Sequence, residues 1–287
     1  MNQPESDKKF TPRQAIAPTP QLYDELVGDG MEKMAKISLE KIPAIPAGAV
    51  LHDNGCGTGA GTAAIVDIVS DAPVEMSIMG TDINEQALAV YKKNTADKSW
   101  PAEAARMDSA KLSFPDDTFT HSLGNSLIFV LPNDGIDAVK ETYRTLKPGG
   151  IAILNSWAVL PNMGPIQAAA KATRPEGTPL PRQGLDKWSD SEFLRSVVEK
   201  GGFDVDKIRV VTGNVPIATS EATRYANMLW SFIGGTGAEG WLESDEQNWD
   251  RAIAIVLEEL RKTDGFRELD GGRLELKFVA NIAIATK

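Results

Sequence analysis

The sequence predicts an α/β fold in which a mostly parallel sheet is covered by helices on both faces. From about residue 48, short apolar runs of strand length alternate with longer segments that carry apolar residues at helical spacing. Alternation of this kind implies right-handed crossovers between parallel strands. The 287 residues, 42% hydrophobic and 24% charged, have a composition typical of a globular protein with a substantial core.

The strands are predicted in order along the chain. Five precede residue 158, in the segments AGAVLHD, MSIMGTDI, AEAARMD, TFTHSLGN and GIAILNSW. A sixth strand, DKIRVVT, follows the helix SDSEFLRSVVEKGGF, and the long alternating segment RLELKFVANIAIATK makes the seventh. Binding sites in such sheets lie at the carboxyl ends of the strands.

Helix ends are predicted from capping residues and helix breakers. Asn84 can cap the helix after the second strand, in which Leu88 and Tyr91 share an apolar face with Ala87. The segment KPGG is expected to end the helix before the fifth strand, because proline and glycine cannot continue it.

Two helices after residue 157 match the S-x-x-[EQ] capping box. The first match is Ser189 with Glu192, and the second, inside a helical insertion over about 219–264, is Ser244 with Gln247.

Composition restricts the partners. The formal net charge is −10 and no basic cluster is longer than KK, which argues against nucleic acid because its binding depends on Lys and Arg. The single cysteine excludes an internal disulfide framework, and no apolar run approaches membrane-spanning length. We therefore expect a soluble cytoplasmic protein that acts on a small molecule and not on a membrane. The oligomeric state is not predicted.

The segment LHDNGCGTGAGTAA marks the first binding site. Asp53, Gly55, Gly57 and Gly59 lie where the first strand meets its helix, and free N–H groups at such a helix start can face a ligand. The spacing also fits the dinucleotide pattern G-x-G-x-x-[GA], with Asp82 placed 23 residues after Gly59 as a ribose-binding acid. The loop alone therefore fits NAD as well as other nucleotides.

Four segments in register separate these alternatives. HDNGCGTGAGT, GTDINEQAL, ARMDSAKLSFPDDTF and LKPGGIAIL resemble, in this order and spacing, the class I S-adenosylmethionine-dependent methyltransferases, in particular those that act on small molecules. The resemblance covers roughly 48–157 well and 189–212 more loosely. It implies a Rossmann-like, seven-stranded α/β fold with helical lid insertions, and S-adenosylmethionine as the cofactor, with S-adenosylhomocysteine as the product.

The resemblance also implies roles for the motif residues. Asp53 would contact the methionine part of the cofactor, and the loop glycines would line it. Asp82 would bind the ribose hydroxyls, with Ile83 against the adenine. Met107 and Asp108 would flank the adenine, Asp108 accepting from its amino group. The alternative for each aspartate is a helix cap or a local turn.

Three further residues are interpreted through the family. Asn125, at the end of the fourth strand, would lie near the methionine group, and Tyr23 resembles an N-terminal tyrosine that closes over the cofactor. The alternatives are a strand-end turn and a plain amphipathic helix face. Cys56 lies where this family often carries cysteine, and its side chain is predicted to be structural.

The acceptor site is predicted outside the motif series. The expected organisation is an N-terminal helical cap over 1–45 and a methyltransferase domain over 46–287, with lid insertions at about 157–188 and 215–265. Trp157, Met163 and Tyr225 are the candidate substrate-binding residues. Five of the six tryptophans follow residue 156, which favours a bulky apolar or aromatic acceptor.

No catalytic base or metal ligand is predicted. The two histidines, His52 and His121, fall within strands, where packing against helices is expected. The predicted function is methyl transfer to an oxygen or nitrogen of a small, aromatic or polycyclic metabolite, mainly by positioning and desolvation. Two alternatives stay open: a protein that binds S-adenosylmethionine without transferring methyl, as a scaffold or a rearrangement catalyst, and an NAD(P) oxidoreductase.

Overall fold

The structure is a computed structural model that describes residues 10–69, 75–183 and 186–287. These fall into two compact units. The sheet unit comprises Asp29–Val159, Lys187–Val215 and Phe278–Lys287, as far as they are described. The helical unit comprises Met1–Gly28, Leu160–Asp186 and Pro216–Lys277, with the same restriction. Each unit is therefore assembled from three separate stretches of chain.

Eight strands form the sheet of the described residues. They are β1 Ala49–Asn54, β2 Met76–Asp82, β3 Ala102–Arg106, β4 Phe119–Gly124, β5 Leu146–Val159, β6 Ile208–Glu221, β7 Arg267–Glu268 and β8 Arg273–Thr286. Their order is β3-β2-β1-β4-β5-β8-β6, and the two-residue β7 pairs with β8 off this path. β1 to β5 pair in parallel, whereas β8 runs antiparallel to β5. The predicted Rossmann-like sheet of seven strands is confirmed, with β7 as an addition.

Helices make up most of the remaining structure. They are α1 Pro20–Val27, α2 Gly30–Leu39, α3 Ala60–Ile68, α4 Glu85–Lys98, α5 Ile136–Thr145, α6 Met163–Thr173, α7 Ser191–Lys200, α8 Ala222–Ile233, α9 Glu243–Gln247 and α10 Trp249–Leu260. The sheet unit contains α2 to α5 and α7, and the helical unit contains α1, α6 and α8 to α10.

A single core joins α5 and α7 to the middle of the sheet. Val139 of α5 and Leu194 of α7 are fully buried in it, together with Leu154 of β5 and Ala283 of β8. Burial of each such aliphatic side chain contributes roughly 1.5–3 kcal/mol. Gly201, which ends α7, is required by this packing, because a Cβ there would lie 2.1 Å from Cγ1 of Val139.

The helix before β5 ends earlier than predicted. α5 stops at Thr145, and KPGG lies inside β5, where the pairing with β4 is irregular between Phe119 and His121. A residue that precedes proline disfavours helical backbone angles, so the chain becomes extended before Pro148 is reached. The strand absorbs the extra residues as a bulge.

Both predicted capping boxes are wrong. The cap of α7 is Asp190, whose Oδ1 accepts from the Glu192 backbone N–H at 2.9 Å, one residue after the predicted Ser189. α9 begins at Glu243, so that Ser244 lies within the helix. At α7 a neighbouring aspartate displaces the predicted serine, because aspartate caps a helix at least as well. At α9 the Asp245 carboxylate accepts from the Leu242 N–H at 2.9 Å, which fixes the helix start before Ser244.

The helical unit is built around a buried ion pair and a group of tryptophans. Arg174 Nε donates to Asp245 Oδ1 at 2.8 Å and Arg174 Nη2 donates to Asp245 Oδ2 at 2.9 Å. The two side chains are 1% and 0% exposed. The guanidinium carbon lies 5.6 Å from the centre of the Trp230 ring, and Trp241 packs between Trp230 and Trp249. The ion pair is thus shielded from solvent, and its guanidinium lies against the ring of Trp230.

Candidate functional site

The carboxyl ends of three neighbouring strands lie side by side. In the parallel register Asn54 of β1 faces Thr81 of β2, and Asp82 of β2 faces Arg106 of β3. The segments that follow these strands therefore meet at one edge of the sheet. This edge is where open α/β sheets bind their ligands.

The glycine loop after β1 needs glycine for two different reasons. Gly55, Gly57 and Gly59 have φ values of +71°, +54° and +109°, which side chains with a Cβ rarely adopt. A Cβ on Gly55 would lie 2.5 Å from Cδ1 of Leu127, and one on Gly59 would lie 3.1 Å from Cζ3 of Trp100. A Cβ on Gly57 would meet nothing within 4 Å. The backbone at Gly57 is therefore the part of the loop that a ligand can approach.

Asp82 lies at the end of β2 and holds this loop. Its Oδ2 accepts from the Gly57 backbone N–H at 2.9 Å, and its Oδ1 accepts from the Asn84 backbone N–H at 2.8 Å. A carboxylate oxygen has a second lone pair, so both oxygens can also accept from ligand hydroxyls. The next residue, Ile83, is 61% exposed, which offers an apolar surface beside the carboxylate.

The segment after β3 is joined to Asp82 through the backbone. Met107 N–H donates to the Asp82 carbonyl at 3.1 Å, and the half-buried Met107 Sδ accepts from Ser113 Oγ at 3.5 Å. Asp108 is exposed, and its Oδ1 accepts from the Ala110 backbone N–H at 2.9 Å. The structure thus brings together the glycine loop, Asp82 and Met107, with Ile83 and Asp108 following them directly.

Asp53 is buried beneath the glycine loop. Asp53 is only 1% exposed, and its Oδ2 accepts a hydrogen bond from Thr62 Oγ1 at 2.7 Å. Burial raises the pKa of Asp53 to about 6; the hydrogen bonds from Thr62 oppose this rise and the charge of Asp82 adds to it. A Cβ on Gly61 would lie 2.6 Å from Asp53 Oδ1. Asp53 therefore supports the start of α3, and its contact with a ligand stays a prediction.

The geometry agrees with a match to known proteins. Residues 51–150 match the family model described as a methyltransferase domain, and this range contains the glycine loop, Asp82 and Met107. Residues 51–150 belong to the class I S-adenosylmethionine-dependent methyltransferase family. S-adenosylmethionine is its cofactor. The residues at the strand ends fit this group, because they combine an open glycine backbone, a carboxylate that can accept further hydrogen bonds and an exposed apolar side chain.

Individual relatives of this methyltransferase are distant. It is 23% identical over 244 residues to methyltransferase ktnA of Aspergillus niger, which covers 75% of this chain and 79% of that protein. It is 32% identical over 108 residues to the demethylmenaquinone methyltransferase of Bacillus licheniformis, or 37% of this chain and 44% of that protein. The solved structure of the YcgJ protein from Bacillus subtilis has a TM-score of 0.55 at 18% identity over 88% of this chain and 97% of that one, a likeness of fold.

The end of β4 in this methyltransferase is held by two amides, of which the sequence singled out only Asn125. Asn155 of β5, fully buried, donates from Nδ2 to Asn125 Oδ1 at 2.9 Å and accepts at Oδ1 from the Ser126 N–H at 2.7 Å. Asn125 Nδ2 donates to the Met31 carbonyl at 2.9 Å. The Asn125 side chain is therefore engaged within the sheet unit, and its predicted contact with the methionine group stays a prediction. A polar residue inside the apolar strand GIAILNSW was the available signal for Asn155.

The predicted acceptor residues have different surroundings. Trp157 lies in β5, 9% exposed, with its ring centre 5.3 Å from that of Phe278. Met163, half-buried, is the first residue of α6 in the helical unit. Tyr225 of α8 is 2% exposed. Burial raises the pKa of its hydroxyl, and a hydrogen bond with the Asn162 side chain offsets only part of this rise. These three assignments stay predictions.

Tyr23 also belongs to the helical unit. It lies in α1, 46% exposed, with its ring centre 6.1 Å from that of Phe232. A tyrosine that is partly exposed and contacts one aromatic neighbour could either cover the cofactor or lie on the face of an amphipathic helix, so the role of Tyr23 stays a prediction.

The histidines and the cysteine are packed in the sheet unit, as predicted. His52 is fully buried, hydrogen-bonded from Nε2 to Thr81 Oγ1 at 2.8 Å and stacked on Phe119. Burial lowers the pKa of His52 to about 3 and lowers that of His121 as well. Burial raises the pKa of the Cys56 thiol, so the thiol is protonated at neutral pH. Neither His52 nor Cys56 has the exposure that a catalytic base or nucleophile needs.

A cavity of about 370 Å³ lies at the opposite end of the sheet. It is lined by residues that begin β4 and β5, including Thr120, His121 and Ile151, and by Pro43 and Pro46 before β1. It therefore belongs to the amino ends of the strands and is not part of the cofactor site.

The part of the chain that the structure describes has neither a metal-binding cluster nor a membrane-spanning helix. In the ranges given above, no group of three His, Cys, Asp or Glu side chains could hold a metal ion. Within the same part of the chain, no helix is long and apolar enough to cross a membrane.

Replacement of Asp53 by asparagine is expected to stabilise the free protein at neutral pH. Because the folded pKa of Asp53 is raised from 3.8 to about 6, the folding free energy from this group is most favourable below pH 4 and is lost as the pH rises to 6. Asparagine has no charge to bury. We expect Asp53→Asn to raise the free energy of unfolding by on the order of 2 kcal/mol at pH 7 and by only about 0.5 kcal/mol at pH 4.

The measurement is urea unfolding of both proteins at several pH values between 4 and 7. Asp97→Asn is the matched control, because Asp97 is an exposed helical aspartate of the same unit. A difference between Asp53→Asn and wild type that does not change with pH would contradict the raised pKa.

Proposed function

We propose that this protein transfers a methyl group from S-adenosylmethionine to an oxygen or nitrogen atom of a small, aromatic or polycyclic metabolite. The proposal depends above all on Asp82, whose carboxylate adjoins the one loop glycine with an open backbone, Gly57. A ribose with two hydroxyls fits such a carboxylate, since both of its oxygens can accept. The rest of the adenosyl group would then follow the exposed side chain of Ile83.

The other cofactor roles follow from position. Met107 would contact the second face of the adenine, and Asp108 would accept from its amino group. Asp53, beneath the loop, would act on the methionine end, with Asn125 beside it and Tyr23 as a cover. Gly55, Gly57 and Gly59 would line the cofactor with their backbone, and the close approach of Leu127 to Gly55 and of Trp100 to Gly59 would hold the loop in shape.

The reaction makes modest demands on the protein. When bound, the cofactor would supply an electrophilic methyl group on its sulfonium; the acceptor would take this methyl group in line, and S-adenosylhomocysteine would leave as a neutral thioether. The chain contributes binding, orientation and exclusion of water. No histidine is placed to remove a proton, since His52 is neutral and sealed in the sheet. This favours an acceptor that needs little base assistance, such as an amine, an acidic phenol or an enol.

The acceptor class is inferred from side chains and from relatives. Trp157, Met163 and Tyr225 are proposed to contact it, and the helical unit is rich in tryptophan. Aromatic side chains favour flat apolar ligands. One relative is named for demethylmenaquinone, a quinone, which supports an aromatic acceptor. Another carries the name C-methyltransferase, so carbon is a third possible site of methylation.

Two other functions were open from the sequence. The match of residues 51–150 to a methyltransferase domain argues against the NAD(P) oxidoreductase alternative. Binding of S-adenosylmethionine without methyl transfer stays the second candidate, and the neutral, buried histidines are the observation that favours it.

The test has two steps. Calorimetry is expected to show binding of S-adenosylmethionine and S-adenosylhomocysteine but not of NAD. Mass spectrometry of a panel of phenols, aromatic amines and quinones, incubated with the protein and S-adenosylmethionine, is expected to show the gain of one CH2 group, and NMR of the product identifies the methylated atom. Binding without any methylated product would favour the non-methylating alternative, and binding of NAD alone would overturn the proposal.

A further inference from the structure

Three buried side chains form a hydrogen-bonded chain beneath the glycine loop. Tyr91 Oη lies 2.7 Å from Thr62 Oγ1, and Thr62 Oγ1 lies 2.7 Å from Asp53 Oδ2. Tyr91 and Thr62 are 0% exposed and Asp53 is 1% exposed. We call this chain of Tyr91, Thr62 and Asp53 the hydroxyl relay. It joins α4, α3 and β1.

The chemistry of the groups fixes the direction of the hydroxyl relay. An ionised carboxylate can only accept, so the Thr62 hydroxyl gives its single hydrogen to Asp53. The Thr62 oxygen is then free to accept, and the Tyr91 hydroxyl must donate to it. Each donation polarises the next, so the Tyr91 hydroxyl strengthens the bond from Thr62 to Asp53.

The surrounding backbone is shaped to admit the tyrosine ring. A Cβ on Gly80 of β2 would lie 2.6 Å from Cζ of Tyr91, and one on Gly59 would lie 3.3 Å from its Cδ2. Two glycines on different elements therefore make room for this one side chain. The apolar face predicted for α4 contains Tyr91, but its hydroxyl reaches a polar interior that the spacing did not reveal.

Few charged groups act on Asp53. Asp82 opposes its ionisation, and the thiol of Cys56 and the hydroxyl of Tyr91 are close and neutral. The preceding residue, His52, is neutral as well. The two hydrogen bonds from Thr62, one from its side chain and one from its backbone, are what favours the charged carboxylate.

We propose that Tyr91 is a positioning residue for cofactor binding, which acts through Thr62 to keep the Asp53 carboxylate charged and fixed beneath the glycine loop. This rests on the proposed role of Asp53 at the methionine end of the cofactor. S-adenosylmethionine carries a sulfonium and an ammonium group, so a charged Asp53 attracts it more than a protonated one does.

The experiment is a double-mutant cycle in cofactor affinity. Calorimetry with S-adenosylmethionine between pH 5 and pH 8 compares wild type, Tyr91→Phe, Thr62→Val and the double variant. Wild-type affinity is expected to fall below about pH 6, where Asp53 takes up a proton. At pH 6, Thr62→Val should lose about tenfold in affinity and Tyr91→Phe about threefold, since each weakens bonds to the charged form.

Two features separate this proposal from simple damage to the fold. At pH 8, where Asp53 is ionised in every variant, the affinities of wild type and Tyr91→Phe should converge. In the Thr62→Val background, Tyr91→Phe should have no further effect, because its influence passes through the Thr62 hydroxyl. Thr62→Ser keeps a hydroxyl and should retain the wild-type pH profile, and Tyr143→Phe controls for the loss of a tyrosine hydroxyl elsewhere in the sheet unit.

Distinct outcomes overturn distinct claims. A loss in Tyr91→Phe that is equal at every pH, or that adds fully to Thr62→Val, overturns the hydroxyl relay while leaving the proposed function intact. Wild-type affinity that does not change between pH 5 and pH 8 overturns the role of Asp53, and the hydroxyl relay with it. Absence of any binding of S-adenosylmethionine to the wild type contradicts the proposed function itself.

Discussion

Asp245→Ala is expected to lower the free energy of unfolding by about 3–5 kcal/mol, because it leaves the Arg174 guanidinium charged and buried without its partner. The pair is bidentate, with nitrogen to oxygen distances of 2.8 and 2.9 Å, and almost no part of it reaches solvent. The remaining bond from Arg174 Nη2 to the Gly234 carbonyl, 2.8 Å, carries no opposite charge and cannot compensate.

Urea unfolding at pH 7 measures this effect. Asp264→Ala is the matched control: Asp264 pairs with Lys277 at 2.8 Å in the same unit, but its side chain is 88% exposed, so its removal should change little. Replacement of both Arg174 and Asp245 by leucine should recover part of the loss, because no unpaired charge is then buried. If Asp245→Ala lowers the free energy of unfolding by less than about 1 kcal/mol, the Arg174 guanidinium is solvated in the variant and the prediction is contradicted.

Asp82→Ala is expected to weaken S-adenosylmethionine binding by about 3 kcal/mol, or roughly a hundredfold, with the fold retained. The carboxylate is proposed to accept from two ribose hydroxyls, and hydrogen bonds to a charged group are worth about 1.5–3 kcal/mol each. The variant also removes the hydrogen bond of 2.9 Å that the Gly57 N–H donates to Asp82 Oδ2.

Calorimetry gives the affinity, and Asp97→Ala, an exposed acid of α4, serves as the control. Asp82→Asn is informative as well, because it keeps one acceptor oxygen and loses the charge, so an intermediate loss is expected. Unchanged affinity in Asp82→Ala would remove this residue from the ribose.

The sequence predicted what depends on local pattern. The strands around the cofactor site follow from short apolar runs, and the cap of α4 follows from Asn84, whose Oδ1 accepts from the Gln86 N–H at 2.9 Å. The glycine loop between β1 and α3 follows from a glycine at every second position. These features need only neighbours in the chain.

What the sequence could not predict depends on residues far apart. Which loop glycine is open and which is packed is decided by Leu127 and Trp100, distant in sequence. The hydroxyl of Tyr91 was hidden in an apolar stripe because its partner, Thr62, lies on another helix. Asn155 of β5 contacts Asn125 at the end of the neighbouring strand β4. Arg174 pairs with Asp245, which lies 71 residues later in the sequence. Spacing rules carry no information on such pairs.

The placement of β8 has a consequence for the synthesis of the chain. β8 follows both β5 and β6 in the chain, yet it lies between them in the sheet, and Val279–Thr286 pair with Ile151–Val159. While the polypeptide emerges from the ribosome, β5 therefore waits with one edge unpaired until more than a hundred further residues have been added. An apolar strand edge left open in this way is a site for misassociation, so the nascent chain is exposed to aggregation at β5 until β8 has been made.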